Sequence, residues 1–232
     1  MFADYHLHSY FSDDTDFPME LEIKKAIELG MDELCFTEHS DYDVPTVVNC
    51  DYDAYFKEME KMKIKYKDQI TLKTGIEFGI QVHTAKAYEE TFRQYPFDFV
   101  IFSCHQVENK EYCRQQPQQG KTQLEYNRRY YQEILDVVKI YKDYSVLGHL
   151  DVIKRYDLNG EIEFDKIKDL IEQIFEVVIA DGKGIELNTS SFAYKLKSLM
   201  PSREILQLYH DMGGKIITIG TDAHNADRVG DR

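Results

Sequence analysis

Seven short apolar runs punctuate the chain, each followed by turn residues and then by a segment of helical period. The runs cover 2–7, 33–37, 70–78, 97–103, 145–148, 184–188 and 215–220. The last three are too short for periodicity alone, and their flanking glycines carry the strand assignment. Between the runs, apolar spacing predicts helices over 19–29, 52–68, 84–94, 123–141, 164–180 and 202–212. Gly30, Asp181-Gly182 and Gly213-Gly214 supply C-terminal stops, and Pro201-Ser202 supplies a start.

Strand and helix alternate without linkers or low-complexity tracts, which predicts parallel strands joined by right-handed crossovers. A closed or nearly closed α/β barrel is the first expectation and an open doubly wound sheet the second, since alternation alone does not separate them. The longest non-helical stretch, 106–122, is polar and follows the fourth strand, where long loops often shape access to a site.

Length sharpens this to one large domain, expected to span 1–232. Lys and Arg number 28 against 42 Asp and Glu, a net charge of −14, which argues against nucleic acid or an anionic membrane as partner. No run approaches the ~20 apolar residues needed to cross a bilayer. The N-terminus does not read as a secretory signal. Cys35, Cys50, Cys104 and Cys113 form no C-x-x-C pair, so reduced thiols in a cytoplasmic protein are expected. Most of the 17 tyrosines are expected to pack helices on the barrel.

Six of the eight histidines fall at or just beyond a predicted strand end: His6, His8, His39, His105, His149 and His224. In parallel α/β folds those ends converge on one mouth. His6 and His8 are two apart on a strand, so their rings leave the same face, and Asp222 and His224 repeat the spacing. With Asp14, Glu77 and Asp222 the set offers nine donors suited to Zn, Fe or Mn. That is too many for one ion, and three tetrahedral ions want about twelve positions, so a bridging carboxylate in a multinuclear site follows. Glu38 points the other way and reads as structural, Asp13 as solvent-facing or supporting, and Asp151 as a group that orients a ligand. His83 and His210 lie near helix ends, where a surface position is the simpler reading; His83 is nonetheless kept as a candidate substrate contact.

In order along the chain stand His6-Leu7-His8-Ser9 with Ser12 and Asp14, Thr37-Glu38-His39-Ser40-Asp41, Gly75-Ile76-Glu77, Ser103-Cys104-His105, Gly148-His149-Leu150-Asp151 and Gly220-Thr221-Asp222-Ala223-His224. Together they resemble the polymerase-and-histidinol-phosphatase (PHP) superfamily. Lys154-Arg155-Tyr156 and Glu186-Leu187-Asn188-Thr189-Ser190 make the chain most similar to its histidinol-phosphate phosphatases. The resemblance implies a distorted seven-stranded (β/α)7 barrel with three divalent ions. His6, His8, Glu77 and Asp222 would hold the first ion; Glu77 would bridge to a second on His105 and His149; Asp14, His39 and His224 would hold the third.

It also implies hydrolysis of L-histidinol phosphate to L-histidinol and phosphate, in histidine biosynthesis, by attack of a metal-bridging hydroxide. Three divalent ions against Asp14, Glu77 and Asp222 leave local positive charge inside an acidic protein, suited to a phosphate monoester. Glu77, Asp222 and Arg155 are the expected catalytic groups, with Arg155 on the phosphoryl oxygens; the alternative for Arg155 is an exposed pairing with Asp157. Arg155, His83, Asp41 and Lys195 are the expected substrate contacts, and Tyr42, Glu108, Glu111 and Tyr112 are further candidates for the imidazole and ammonium ends.

Two departures stand out. Ala193 occupies a position where the family pattern has an arginine, with Lys195 as a substitute, and only eight residues follow His224. The latter reads as a truncated end or a minimal member, with one side of the barrel thinly covered. A PHP phosphoesterase for another small phosphate ester and a non-catalytic metal-binding module are the competing readings.

Overall fold

The computed structural model describes residues 2–231; Met1 and Arg232, the ends of the expected domain, lie outside the described residues. In chain order the elements are β1 (Ala3–Asp4), α1 (Met19–Glu28), β2 (Glu33–Ser40), α2 (Tyr52–Tyr66), β3 (Thr71–Gly79), α3 (Ala85–Gln94), β4 (Phe99–Ser103), β5 (Gln106–Val107), β6 (Lys110–Glu111), α4 (Gln123–Ile140), β7 (Val146–Leu147), α5 (Lys168–Ala180), β8 (Gly184–Asn188), α6 (Ser190–Ala193), α7 (Arg203–Asp211) and β9 (Ile217–Gly220).

Seven parallel strands form one sheet in the order β1-β2-β3-β4-β7-β8-β9. Its two edges meet. Leu7 bridges Ala223 in parallel, Tyr5 N donates to Ile219 O at 3.0 Å, Asp222 N to His6 O at 2.7 Å, and His8 N to Ala223 O at 2.8 Å. The sheet is therefore a barrel and not an open doubly wound sheet, and the seam is made by the two segments that carry the paired site residues.

Helix faces explain the core. Met19, Ile23 and Ala26 bury one stripe of α1. Tyr55 and Tyr88 are fully buried on the inner faces of α2 and α3. The Tyr55 hydroxyl lies 2.9 Å from Phe36 O and 3.0 Å from Gly75 O. That of Tyr88 lies 2.8 Å from Ser40 O and 3.1 Å from Gly79 O. These tyrosines supply apolar area and satisfy strand-end carbonyls, as expected of helix-to-barrel packing.

Three local differences from the pattern have physical causes. The stretch 106–122 contains the antiparallel hairpin β5–β6. Glu108 and Asn109 turn it with φ of 55° and 58°; glutamate is not a usual signal for such a turn, and two-residue strands show no alternation. The predicted helix 164–180 splits into a 3-10 turn, Phe164–Lys166, and α5. The four-residue α6 is too short to show a period. Ile217 and Ile219 of β9 are about half exposed, which accords with thin cover on one side of the barrel. Among the described residues no helix is long and apolar enough to cross a membrane, and all four cysteines are free.

Candidate metal centre

Strand ends bring all nine expected donors to one mouth. Parallel register sets His39 beside Glu77, and Glu77 is the hub. Its Oε2 lies 3.2 Å from His6 Nε2, 3.5 Å from His8 Nε2 and 3.0 Å from His39 Nδ1. Its Oε1 lies 2.9 Å from His149 Nε2 and 3.2 Å from His105 Nε2. Asp222 Oδ1 stands 3.8 Å from His6 Nε2 and 3.5 Å from His8 Nε2. Asp14, half exposed at the lip, lies 2.9 Å from His224 Nε2 and 3.5 Å from His39 Nε2. Asp222 adopts a left-handed φ of 53°, a conformation that short polar side chains tolerate and that recurs at functional sites.

The donor set fits divalent ions. His6 Nε2, His8 Nε2, His39 Nδ1 and Glu77 Oε2 are buried atoms with no hydrogen-bond partner, a costly arrangement unless something else binds them. Ligand atoms of His6, His8 and Glu77, of His6, His149 and Asp222, of His39, Glu77 and His105, and of His8, His39 and His224 lie within 4.8 Å of one another. Ligands ~2.1 Å from a tetrahedral zinc ion stand about 3.4 Å apart, close to the separations around Glu77.

Electrostatics agree. Burial works to neutralise His6, but Glu186, Glu77 and Asp222 raise its pKa well above the usual imidazole value. Burial likewise opposes ionised Glu77 and Asp222, yet His6 and the other imidazoles hold both well below the carboxylate range. His105 is pushed up to about 10, against burial, by Asp41 and Glu77. His8 goes the other way: burial, with His39 and His224 beside it, lowers it to about 3. The carboxylates thus create a field that asks for positive charge, the role metal ions take in competition with protons.

The PHP domain family matches residues 4–190. This chain belongs to that family. It is 33% identical over 229 residues to the histidinol-phosphatase of Lactococcus lactis, covering 97% of this chain and 85% of that one. It is 28% identical to a probable histidinol-phosphatase of Thermotoga maritima, covering 98% and 86%. Among solved structures, the histidinol phosphate phosphatase of Lactococcus lactis, in complex with zinc, L-histidinol and phosphate, superposes with a TM-score of 0.89 at 32% identity, covering 97% of this chain and 86% of that one. A solved structure from Listeria monocytogenes, at 19% identity and a TM-score of 0.76 over 99% of this chain and 97% of that one, shares the fold.

The rest of this PHP mouth is a cavity of ≈ 510 Å³. Arg155 lines it, with Nη2 2.6 Å from Ser190 Oγ and 3.1 Å from Asp222 Oδ2. The guanidinium stacks 3.9 Å from the Tyr194 ring centroid. The pairing with Asp157 is not made; Asp157 instead takes hydrogen bonds from Tyr126 and Asn127. Asp41 reaches the cavity but its Oδ1 lies 2.9 Å from His105 Nδ1, so it orients that ring. Gly79 makes this pairing feasible, because a Cβ there would collide with Asp41. Glu111 and Tyr112 line the cavity, whereas Tyr42 and Glu108 do not.

Several expectations are corrected. His83 is not on the cavity; it is 45% exposed and bonds Asn109 at 2.9 Å, because the loop carries it outward ahead of α3. Lys195 is exposed and off the cavity, on a residue with φ of 54° that turns the chain after α6. Asp151 supports no histidine: its Oδ2 accepts from Lys154 Nζ at 2.7 Å and Ser202 N at 2.9 Å, facing the start of α7. Glu38 is structural as expected, accepting from Ser9 N, Ser9 Oγ and Ser12 Oγ at 2.6–2.9 Å. Asp13 is exposed and caps Val48 N at 3.0 Å. The residue that sequence reasoning missed is Glu186, which touches His6. Its signal was the polar pair Glu186 and Asn188 on a strand whose alternate residues face one side.

Proposed function

We propose that this PHP protein hydrolyses L-histidinol phosphate to L-histidinol and phosphate at a centre of three divalent ions. His6, His8, Glu77 and Asp222 would hold the first, Glu77, His105 and His149 the second, and Asp14, His39 and His224 the third. Bound there, the ions would supply Lewis acidity at the phosphoryl group and make water a usable nucleophile near neutral pH.

The chain's own residues do the positioning. Asp222 splits its oxygens, Oδ1 toward His6 and His8 and Oδ2 toward Arg155, and so ties the metal side of the cavity to its cation. Arg155 is held by Ser190 and Asp222 while lining the cavity, and its guanidinium would meet a phosphoryl oxygen there. Asp41 fixes the ring of His105. The observation that carries the reading is the convergence of nine side chains on one mouth, five imidazoles among them around Glu77, beside a cavity that also holds Arg155. The ligands of the Lactococcus relative support the substrate.

The test is phosphate release after reconstitution with zinc or manganese, comparing L-histidinol phosphate with p-nitrophenyl phosphate and nucleoside monophosphates. A preference of ~10²-fold or more in kcat/KM is expected, as for a site that hydrogen-bonds its substrate's polar groups. Equal rates would leave a phosphoesterase of other specificity. Bound metal with no release from any ester would leave the non-catalytic module.

A further inference from the structure

Six of the seven barrel strands lead into a residue of the proposed metal set; β8 does not. Glu186 and Asn188 of β8, with Ser190 at the start of α6, nonetheless form a continuous polar line beneath that set. Glu186 is buried, with Oε1 2.6 Å from His6 Nδ1. Its Oε2 accepts from His149 N at 2.7 Å and from Asn188 Nδ2 at 3.2 Å. Asn188 Oδ1 in turn accepts from Ser190 N at 3.1 Å and Ser190 Oγ at 2.5 Å. Ser190 Oγ, its proton spent on Asn188, accepts from Arg155 Nη2 at 2.6 Å. The neighbouring strand leaves room for this line: a Cβ on Gly220 would strike both Glu186 Oε1 and the His6 side chain.

We infer that Glu186 is a positioning residue for the metal centre, and that β8 holds the centre and Arg155 in one frame through Asn188 and Ser190. A carboxylate facing His6 Nδ1 favours the tautomer protonated there and leaves the Nε2 lone pair directed at Glu77 and Asp222. The bond to His149 N fixes a second member of the set through its backbone. Without Glu186, the His6 ring loses its anchor and turns between tautomers, and His149 N is left buried without an acceptor. The inference rests on the metal reading above, but not on the identity of the substrate.

The experiment uses the full chain, stripped of metal and titrated with zinc against a chromophoric chelator. Glu186→Gln is expected to lower zinc affinity by about 10–100-fold, while the metal-free variant unfolds at the wild-type temperature. Wild-type affinity in folded Glu186→Gln overturns the inference. A reading on the unmutated protein covers the case of a variant that does not fold: histidine ¹⁵N spectra of the zinc-loaded chain, with His6 assigned by His6→Asn, should show the proton on Nδ1. A proton on Nε2 overturns the inference. A wild-type chain that takes up no zinc removes the metal reading itself and this inference with it, whereas failure to hydrolyse histidinol phosphate touches neither. For the Arg155 end, Ser190→Ala should raise KM for the phosphate ester several-fold with zinc affinity unchanged; an unchanged KM removes that end of the line.

Discussion

The inner side of the mouth takes its nine side chains from strand ends and the segments that follow them, whereas the part of the outer wall formed by 152–156 and 190–196 is built of short turns around Arg155. On the inner wall, alternation and register decide where each group points: His39 stands beside Glu77 because β2 and β3 pair in parallel there. Each group is also tied to several others, so Glu77 alone faces five imidazoles. On the outer wall Arg155 depends on Ser190, Asp222 and the Tyr194 ring. Ala193 is exposed and adds no polar group. The difference teaches that the chemistry of the mouth is over-determined, while its grip on a substrate rests on few side chains and is open to change.

Breaking the inner wall should have the largest effect. Glu77→Gln removes one negative charge from a hub facing five imidazoles, and is expected to abolish phosphate release and lower bound metal by at least one ion per chain, read by elemental analysis. Retention of both metal and turnover would remove Glu77 from the centre. On the outer wall, Arg155→Ala should cost about 10²–10³-fold in kcat/KM with metal content unchanged, the scale of losing one preorganised donor. Loss of metal instead would mean that Arg155 acts chiefly through Asp222.

Much of the inner wall was legible in the sequence because strand alternation converts spacing into direction. His6-x-His8 carries that information in three residues, and the two rings do meet, with centroids 5.0 Å apart; Asp222 and His224 reach the same mouth through a left-handed turn at Asp222. What was not legible depends on contacts between distant segments. Asp151 follows His149 by two and was expected to support it, but a turn over Val152–Arg155 carries it to Lys154 and Ser202. Its place is taken by Glu186, 180 residues from His6 along the chain. The hairpin β5–β6 and α6 were invisible for want of length, and His83 and Lys195 were misplaced because loop direction leaves no periodic trace.

Adding to the outer wall sharpens the same contrast. Ala193→Arg restores the guanidinium that the family pattern has after α6 begins and is expected to raise kcat/KM by about tenfold, some 1.4 kcal/mol, the low end for a charge-assisted hydrogen bond. A rate equal to wild type would show that Arg155 already saturates the phosphoryl group.

The smallest effect lies away from both walls. Glu22 on α1 is buried with neither oxygen bonded, and burial, with Glu38 and Asp4 nearby, pushes it up to about 10. Folded Glu22 is therefore protonated at pH 7, while the unfolded chain ionises it above the ordinary glutamate value of 4.5. A raised carboxyl pKa makes its contribution to stability full below the unfolded value and loses it as pH rises toward the folded one, by up to ~1.4 kcal/mol per pH unit. Glu22→Gln should remove that slope, so urea unfolding should show the variant gaining on wild type from pH 5 to pH 8. Parallel curves would mean that Glu22 finds a partner on folding.

Elemental analysis of the purified, reconstituted chain tests the central claim most directly. Three divalent ions per chain, with at least one lost in His6→Ala, is the expected result. One ion or none in the wild type, or a His6→Ala protein with full metal content, would contradict a shared cage of nine side chains.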